Sequence, residues 1–260
     1  MKAYNEKGFI KYNKLFSNNE IEVLIDLVND SIINVANNFL EPIKKEEFDC
    51  IPNERIPHEG MIFLFNIDPE LSTKAINQLN SSYYLYSFMT NNKIVDRYKE
   101  LTSCPDDKSI ATNAFFVRVD LPSKYKKEDL KFSLPWHQES GYYHKNISKS
   151  KSVVVWVPLF DVSKESGALE VIPCSHSNGY VIHDEYYINP EEKTKFRVSI
   201  PENVISRYDQ NNNVFTEAIQ GDVYIMNFNL MHRSGLNVSN NVRYTFLARY
   251  SNKKDVDYSF

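Results

Sequence analysis

The sequence predicts an α+β fold, mainly β, in which an antiparallel jelly roll carries N-terminal helices packed on one outer face. Three observations carry this expectation. Helical periodicity is confined to roughly the first 110 of 260 residues. From residue 111 the apolar residues gather in short runs rich in β-branched and aromatic side chains. No helical pattern alternates with those runs, so the sequence points away from βαβ crossovers and a parallel doubly wound sheet.

The helical elements follow from spacing and punctuation. Ser17 or Asn18 can cap a helix in which Ile21, Leu24, Ile25, Val28, Ile32, Val35 and Phe39 share one face, and Pro42 ends the pattern. A second helix is expected over 69–80, with Leu71, Ala75, Ile76 and Leu79 at helical spacing. A third is expected over about 82–101, on a stripe of Leu85, Phe88, Met89, Ile94, Val95 and Tyr98. The stretch 42–65 reads as irregular.

The strand candidates are 113–120, 152–160, 168–173, 213–219, 222–228 and 242–250, separated by Gly, Pro, Asn, Asp and Ser. The stretch 180–212 is polar and weakly patterned, which predicts a long excursion between strands that shapes a pocket rim. No repeat, linker or low-complexity tract divides the chain. A single domain over 1–260 is expected, with a mostly helical part at 1–110 and a jelly-roll core at 111–250.

Charge and composition narrow the function classes. Net charge is −4 and 42% of residues are hydrophobic, an ordinary globular balance. Without a basic face the chain has no electrostatic reason to bind nucleic acid or anionic lipid. The densest basic run, 124–131, contains Glu128 and Asp129 and reads as a solvated loop; the charged segment 121–132 is a candidate lid. No apolar run approaches the ~18 residues a membrane span requires, and the first residues lack a signal-peptide core. The three cysteines, Cys50, Cys104 and Cys174, are widely spaced and form no CxxC pair, which points to a reducing cytoplasmic compartment. No protein partner is implied.

Two histidines stand out from the six. In Trp136-His137-Gln138-Glu139 an extended backbone would point His137 and Glu139 the same way and Gln138 the other. Farther along, the apolar run at 222–228 leads to His232, a turn with Ser234, Gly235 and Asn237, and a strand that opens with Arg243. Two histidines and one carboxylate make the facial triad that non-haem iron(II) uses with open positions left over. A 2-oxo acid and dioxygen can fill them, and an arginine on the next strand can pair with the far carboxylate of the oxo acid. Arg243, Thr245, Leu247 and Arg249 alternate onto one face, and two arginines on one face favour a cavity that holds anions.

The chain resembles the phytanoyl-CoA dioxygenase family of iron and 2-oxoglutarate oxygenases. The likeness runs through 8–28, the WHQE motif at 136–139, the stretch WVPLFDVSKESGALEVIPCSHSNG at 156–179, and the distal histidine and arginine motif at 221–244. It implies a double-stranded β-helix (cupin-like) core and an Fe(II) site of His137, Glu139 and His232. It further implies a 2-oxoglutarate tail held by Arg243 with Ser234, with Trp156 and Arg118 lining the co-substrate site. His176, in the Pro-x-Ser-His turn, is expected to be structural.

The family's usual carboxylate ligand is Asp, and Glu139 departs from it. Its halogenating members carry a small residue here, so Glu139 argues against that chemistry. The implied reaction hydroxylates a small-molecule metabolite with dioxygen, releasing succinate and CO2. Tyr142, Tyr143 and His144 are candidate substrate contacts; a packed aromatic loop would explain them equally well. Two alternatives stand: an iron oxygenase that does not use 2-oxoglutarate, and a non-catalytic jelly-roll binding protein whose metal site has degenerated.

Overall fold

A computed structural model describes residues 2–125, 134–143, 151–189 and 194–254. Its helices are α1 (Lys2–Lys7), α2 (Asn18–Phe39), α3 (Pro42–Asp49), α4 (Met61–Ile67), α5 (Pro69–Asn80), α6 (Tyr83–Met89), α7 (Asn92–Thr102) and α8 (Glu202–Ile205). Its strands are β1 (Phe9–Tyr12), β2 (Ile110–Asp120), β3 (Val153–Pro158), β4 (Glu170–Val171), β5 (Asp184–Asn189), β6 (Thr194–Ser199), β7 (Val214–Phe215), β8 (Val223–Asn227), β9 (His232–Arg233) and β10 (Arg243–Asn252).

Among the described residues all strand pairings are antiparallel. Five strands form a major sheet in the order β1-β8-β3-β10-β2, and three form a minor sheet, β7-β4-β9. A bridge between His137 and His232 adds the proximal motif beside β9. The period of two along each strand then sorts the side chains. Val153, Val155 and Val157 of β3 and Tyr244, Phe246, Ala248 and Tyr250 of β10 join one buried cluster with the helices. Val154 and Trp156 face the other way, into a second cluster with Ala168, Leu169, Val171 and Met226 that fills the space between the sheets. Thus the helices cover one outer face and the inner face lines the barrel, the predicted architecture.

Helix α2 begins where the sequence requires. Ser17 Oγ accepts from the Glu20 amide at 3.3 Å and the Glu20 carboxylate accepts from the Ser17 amide at 2.8 Å, a reciprocal cap. Its buried stripe is Ile21, Leu24, Val28, Ile32, Val35 and Ala36, while Phe39, predicted on that face, is exposed. Helix α5 has the predicted bounds.

Two expectations need correction. The stretch 42–65 is largely helical: Pro42 occupies the first turn of α3, and a π turn at Ile56–Gly60 leads into α4. A β-carbon on Gly60 would lie 3.2–3.3 Å from Ile32, Ile56 and Phe48, so close packing of short segments stands in for a long periodic stripe. The helix expected over 82–101 is two, because Asn91 turns its side chain onto the Lys93 amide at 2.8 Å and caps a new start. The excursion at 180–212 contains the hairpin β5–β6 and α8.

The three cysteines are free. Among the described residues no helix is long and apolar enough to cross a membrane.

Candidate metal centre

The site grows from a short reciprocal pairing. The His137 amide donates to the His232 carbonyl and the His232 amide to the His137 carbonyl, both at 2.9 Å, which brings the imidazole centroids to 4.2 Å. Each ring is then oriented the same way. Nδ1–H of His137 donates to the Pro135 carbonyl at 2.8 Å, and Nδ1–H of His232 donates to the Leu230 carbonyl at 2.9 Å. A ring that gives its Nδ1 proton to a carbonyl presents a bare Nε2 lone pair, the usual orientation of a metal-bound histidine. Burial lowers the basicity of both rings, and the neighbouring His232 lowers that of His137 further. They are therefore neutral and ready to donate.

Glu139 completes the set. One ligand atom from each of His137, Glu139 and His232 lies within 4.8 Å of the others, and all three residues are buried. Two neutral imidazoles and one carboxylate, with oriented rings, fit a divalent first-row metal such as iron(II).

Gln138 does point away and staples the motif. Its Nε2 donates to the carbonyls of Gly179 at 2.8 Å and Asn229 at 2.7 Å, and its Oε1 accepts from the Val181 amide at 2.9 Å. His183 Nε2 accepts the Gln138 amide at 3.0 Å, and the Ile200 amide donates to the Trp136 carbonyl at 2.7 Å. The excursion is thus bonded along the proximal motif. Neither contact was visible in a polar, weakly patterned stretch.

A cavity of about 500 Å³ opens on the triad. Trp156, Ser234 and Arg118 line it, as do Tyr142 and Tyr143. Tyr142 meets the His137 ring edge-on at 5.7 Å, and Tyr143 stacks on Phe228 at 5.4 Å. Burial, with Glu139 nearby, pushes the Tyr142 hydroxyl up to about 12. His144 and most of the segment 121–132 lie outside the described residues. His176 is away from the cavity; its Nε2 bonds the Asn5 carbonyl at 3.1 Å and its ring presses on Gly8.

Arg243 does not line this cavity. It lies directly opposite Asp120 in the β10–β2 register, and both are buried. A buried guanidinium facing a buried carboxylate pairs with it: its Nη2 donates to Asp120 Oδ2 and its Nη1 to the Gly167 carbonyl, while its buried Nε has no partner among the described residues. Arg118 Nε donates to the same Asp120 oxygen at 3.1 Å. Two cations therefore share one carboxylate, and of the three side chains Arg118 lines the cavity.

Arg249, in contrast, does line the cavity. Its Nε and Nη2 contact Glu139 Oε1 at 2.6 and 2.5 Å. Burial works against its charge, and Glu139 with Tyr143 and Tyr142 holds it above the ordinary arginine value. Arg197, carried by β6, also lines the cavity. The alternation along 243–249 had put Arg249 on the inner face; its tie to Glu139 had no sequence signal.

Fold and donor set together describe a jelly roll with a two-histidine, one-carboxylate centre. The family model for phytanoyl-CoA dioxygenase matches residues 4–245, and the chain belongs to that family. None of the curated proteins compared with the chain matches it in sequence. Among solved structures, a non-heme monooxygenase described as ThoJ aligns over 97% of this chain and 77% of its own, at 14% identity and a TM-score of 0.61. EvdO2 from Micromonospora carbonacea var. aurantiaca, complexed with 2-oxoglutarate, aligns over 96% and 89%, at 12% identity and 0.59. The epimerase SnoN, in complex with Fe3+, alpha ketoglutarate and nogalamycin RO, aligns over 96% and 81%, at 14% identity and 0.57.

Proposed function

We propose that this protein is an Fe(II)- and 2-oxoglutarate-dependent dioxygenase that hydroxylates a small-molecule metabolite, acting as a single domain. The observation that carries the reading is the pair of imidazoles, each with Nδ1–H spent on a carbonyl, converging with a buried carboxylate. Family membership and the 2-oxoglutarate bound to a relative of the same fold support it. Iron(II) and 2-oxoglutarate, when bound, would supply oxidation of a substrate C–H bond by dioxygen, with succinate and CO2 released.

The chain's own residues do the rest. His137, Glu139 and His232 would hold the metal. Arg118 and Ser234 both line the cavity and would meet the co-substrate's far carboxylate, and Arg243, which shares Asp120 with Arg118, would support Arg118 in that task. Trp156 packs edge-on against Tyr224 at 5.8 Å and gives the cavity a rigid apolar wall that keeps out water. Tyr142, edge-on to the His137 ring, and Tyr143, stacked on Phe228, would offer substrate two hydroxyl-bearing rings.

A second outcome of the same chemistry is favoured by the relatives. One is described as an epimerase and another, SnoK, as a carbocyclase. Aerobic incubation with iron(II), 2-oxoglutarate and a metabolite panel, read as succinate release, tests the reading. Parent protein should form succinate and His232→Ala should not; equal succinate from both would overturn it. Product mass separates hydroxylation, a gain of one oxygen, from rearrangement.

A further inference from the structure

The ligand motif carries Glu where the family it resembles usually has Asp, and the extra methylene creates a geometric problem. A longer arm has one more rotatable bond, and a free carboxylate at its end can chelate a metal through both oxygens. Chelation would consume a position that a co-substrate needs.

We propose that Arg249 is a positioning residue that occupies Glu139 Oε1 and so restricts Glu139 to binding metal through its other oxygen. The fork geometry suits this task. Nε and Nη2 both converge on the same oxygen, at 2.6 and 2.5 Å, and both side chains are buried. The guanidinium lies over the Phe116 ring at 5.2 Å. Its backbone is fixed as well: the Arg249 carbonyl accepts from Thr112 Oγ1 at 2.8 Å. The β10–β2 register shifts between Leu247 and Arg249, an irregularity of the kind that re-aims a side chain beside a functional site. A lysine would keep the charge but lack the planar fork.

The inference rests on the proposed metal site and makes a prediction that a simple structural role does not. Removing Arg249 takes a cation away from the centre and frees the second carboxylate oxygen. Divalent metal should then bind at least as tightly, while a bidentate oxo acid should bind more weakly.

Anaerobic titration with cobalt(II), followed by its visible spectrum, reads the first quantity. Subsequent titration with 2-oxoglutarate, and separately with pyruvate, reads the second. In Arg249→Met, cobalt(II) affinity should hold or rise, and both oxo acids should weaken about tenfold or more. Arg249→Lys should fall between, and it carries the comparison if the Met variant fails to fold.

Pyruvate has no distal carboxylate, so loss of 2-oxoglutarate binding alone would make Arg249 an anchor for that group and overturn the proposal. Unchanged binding of all three probes would overturn it too. So would cobalt(II) and both oxo acids weakening together without improvement in the Lys variant, which is the mark of a structural role. If His232→Ala binds cobalt(II) as well as the parent does, the metal site itself is wrong rather than the role of Arg249.

Discussion

At the scale of single residues, the candidate centre is decided by which proton each side chain has already given away. His137 and His232 spend Nδ1–H on backbone carbonyls and keep Nε2 bare. Glu139→Asp shortens the arm by one methylene, withdraws the carboxylate from Arg249, and should retain partial turnover; Glu139→Ala should retain little, as measured by succinate release. Arg243 obeys a different logic. Its cross-strand partner Asp120 is almost fully buried, so Arg243→Ala removes one of the cations paired with a buried carboxylate. The expected loss is roughly 3 kcal/mol of stability in urea denaturation, accompanied by weaker 2-oxoglutarate binding. A loss of stability with unchanged 2-oxoglutarate affinity would leave Arg243 a purely structural role. The pairing was hard to read in the sequence because Asp120 closes an apolar strand and Arg243 opens another more than a hundred positions later.

At the scale of elements, local signals governed what was legible. Ser17 and the stripe from Ile21 to Val35 mark α2 within a few residues, β3 and β8 lie inside the apolar runs that announce them, and β10 begins within its run and continues two residues past it. The segments that escaped are those whose order comes from partners distant in sequence. The π turn at Ile56–Gly60 is shaped by packing on Ile32 and Phe48, and the hairpin β5–β6 docks through His183 and the strand end at Ile200 onto the 136–141 motif. Gly141 tests that docking. A β-carbon there would lie 2.9 Å from the His183 ring, closer than carbon and nitrogen tolerate. Gly141→Ala should displace His183 from the Gln138 amide, cost about 1–3 kcal/mol, and reduce metal affinity. Unaltered cobalt(II) binding by a folded Gly141→Ala protein would show that the excursion does not brace the ligand motif.

For the whole molecule, one sheet separates two environments: the helices pack on one face, while the other holds a cavity with Arg118, Arg197 and Arg249 set in a largely apolar lining. This division was readable in outline because period-two alternation along 243–250 sorts arginines from aromatics. Cavity contents depend on tertiary contacts and were not readable. The same burial makes the fold acid-sensitive. Burial holds His58 and His183 at about 4 against an ordinary 6.5, so the unfolded chain binds more protons between those values. The stability from keeping them neutral is complete above 6.5 and is lost as pH falls from 6.5 toward 4, with a slope of up to roughly 1.4 kcal/mol per pH unit per histidine. His58→Phe, placed against Phe160, should flatten the pH dependence of the urea midpoint; an unchanged slope would remove His58 from this account. Visible absorption of anaerobic protein loaded with iron(II) and 2-oxoglutarate reads whether three side chains hold a metal with a chelating oxo acid beside the arginines. The account predicts a weak metal-to-ligand charge-transfer band in the parent protein that disappears in folded His137→Ala and His232→Ala. A folded parent without the band, or alanine variants that retain it, would contradict the account.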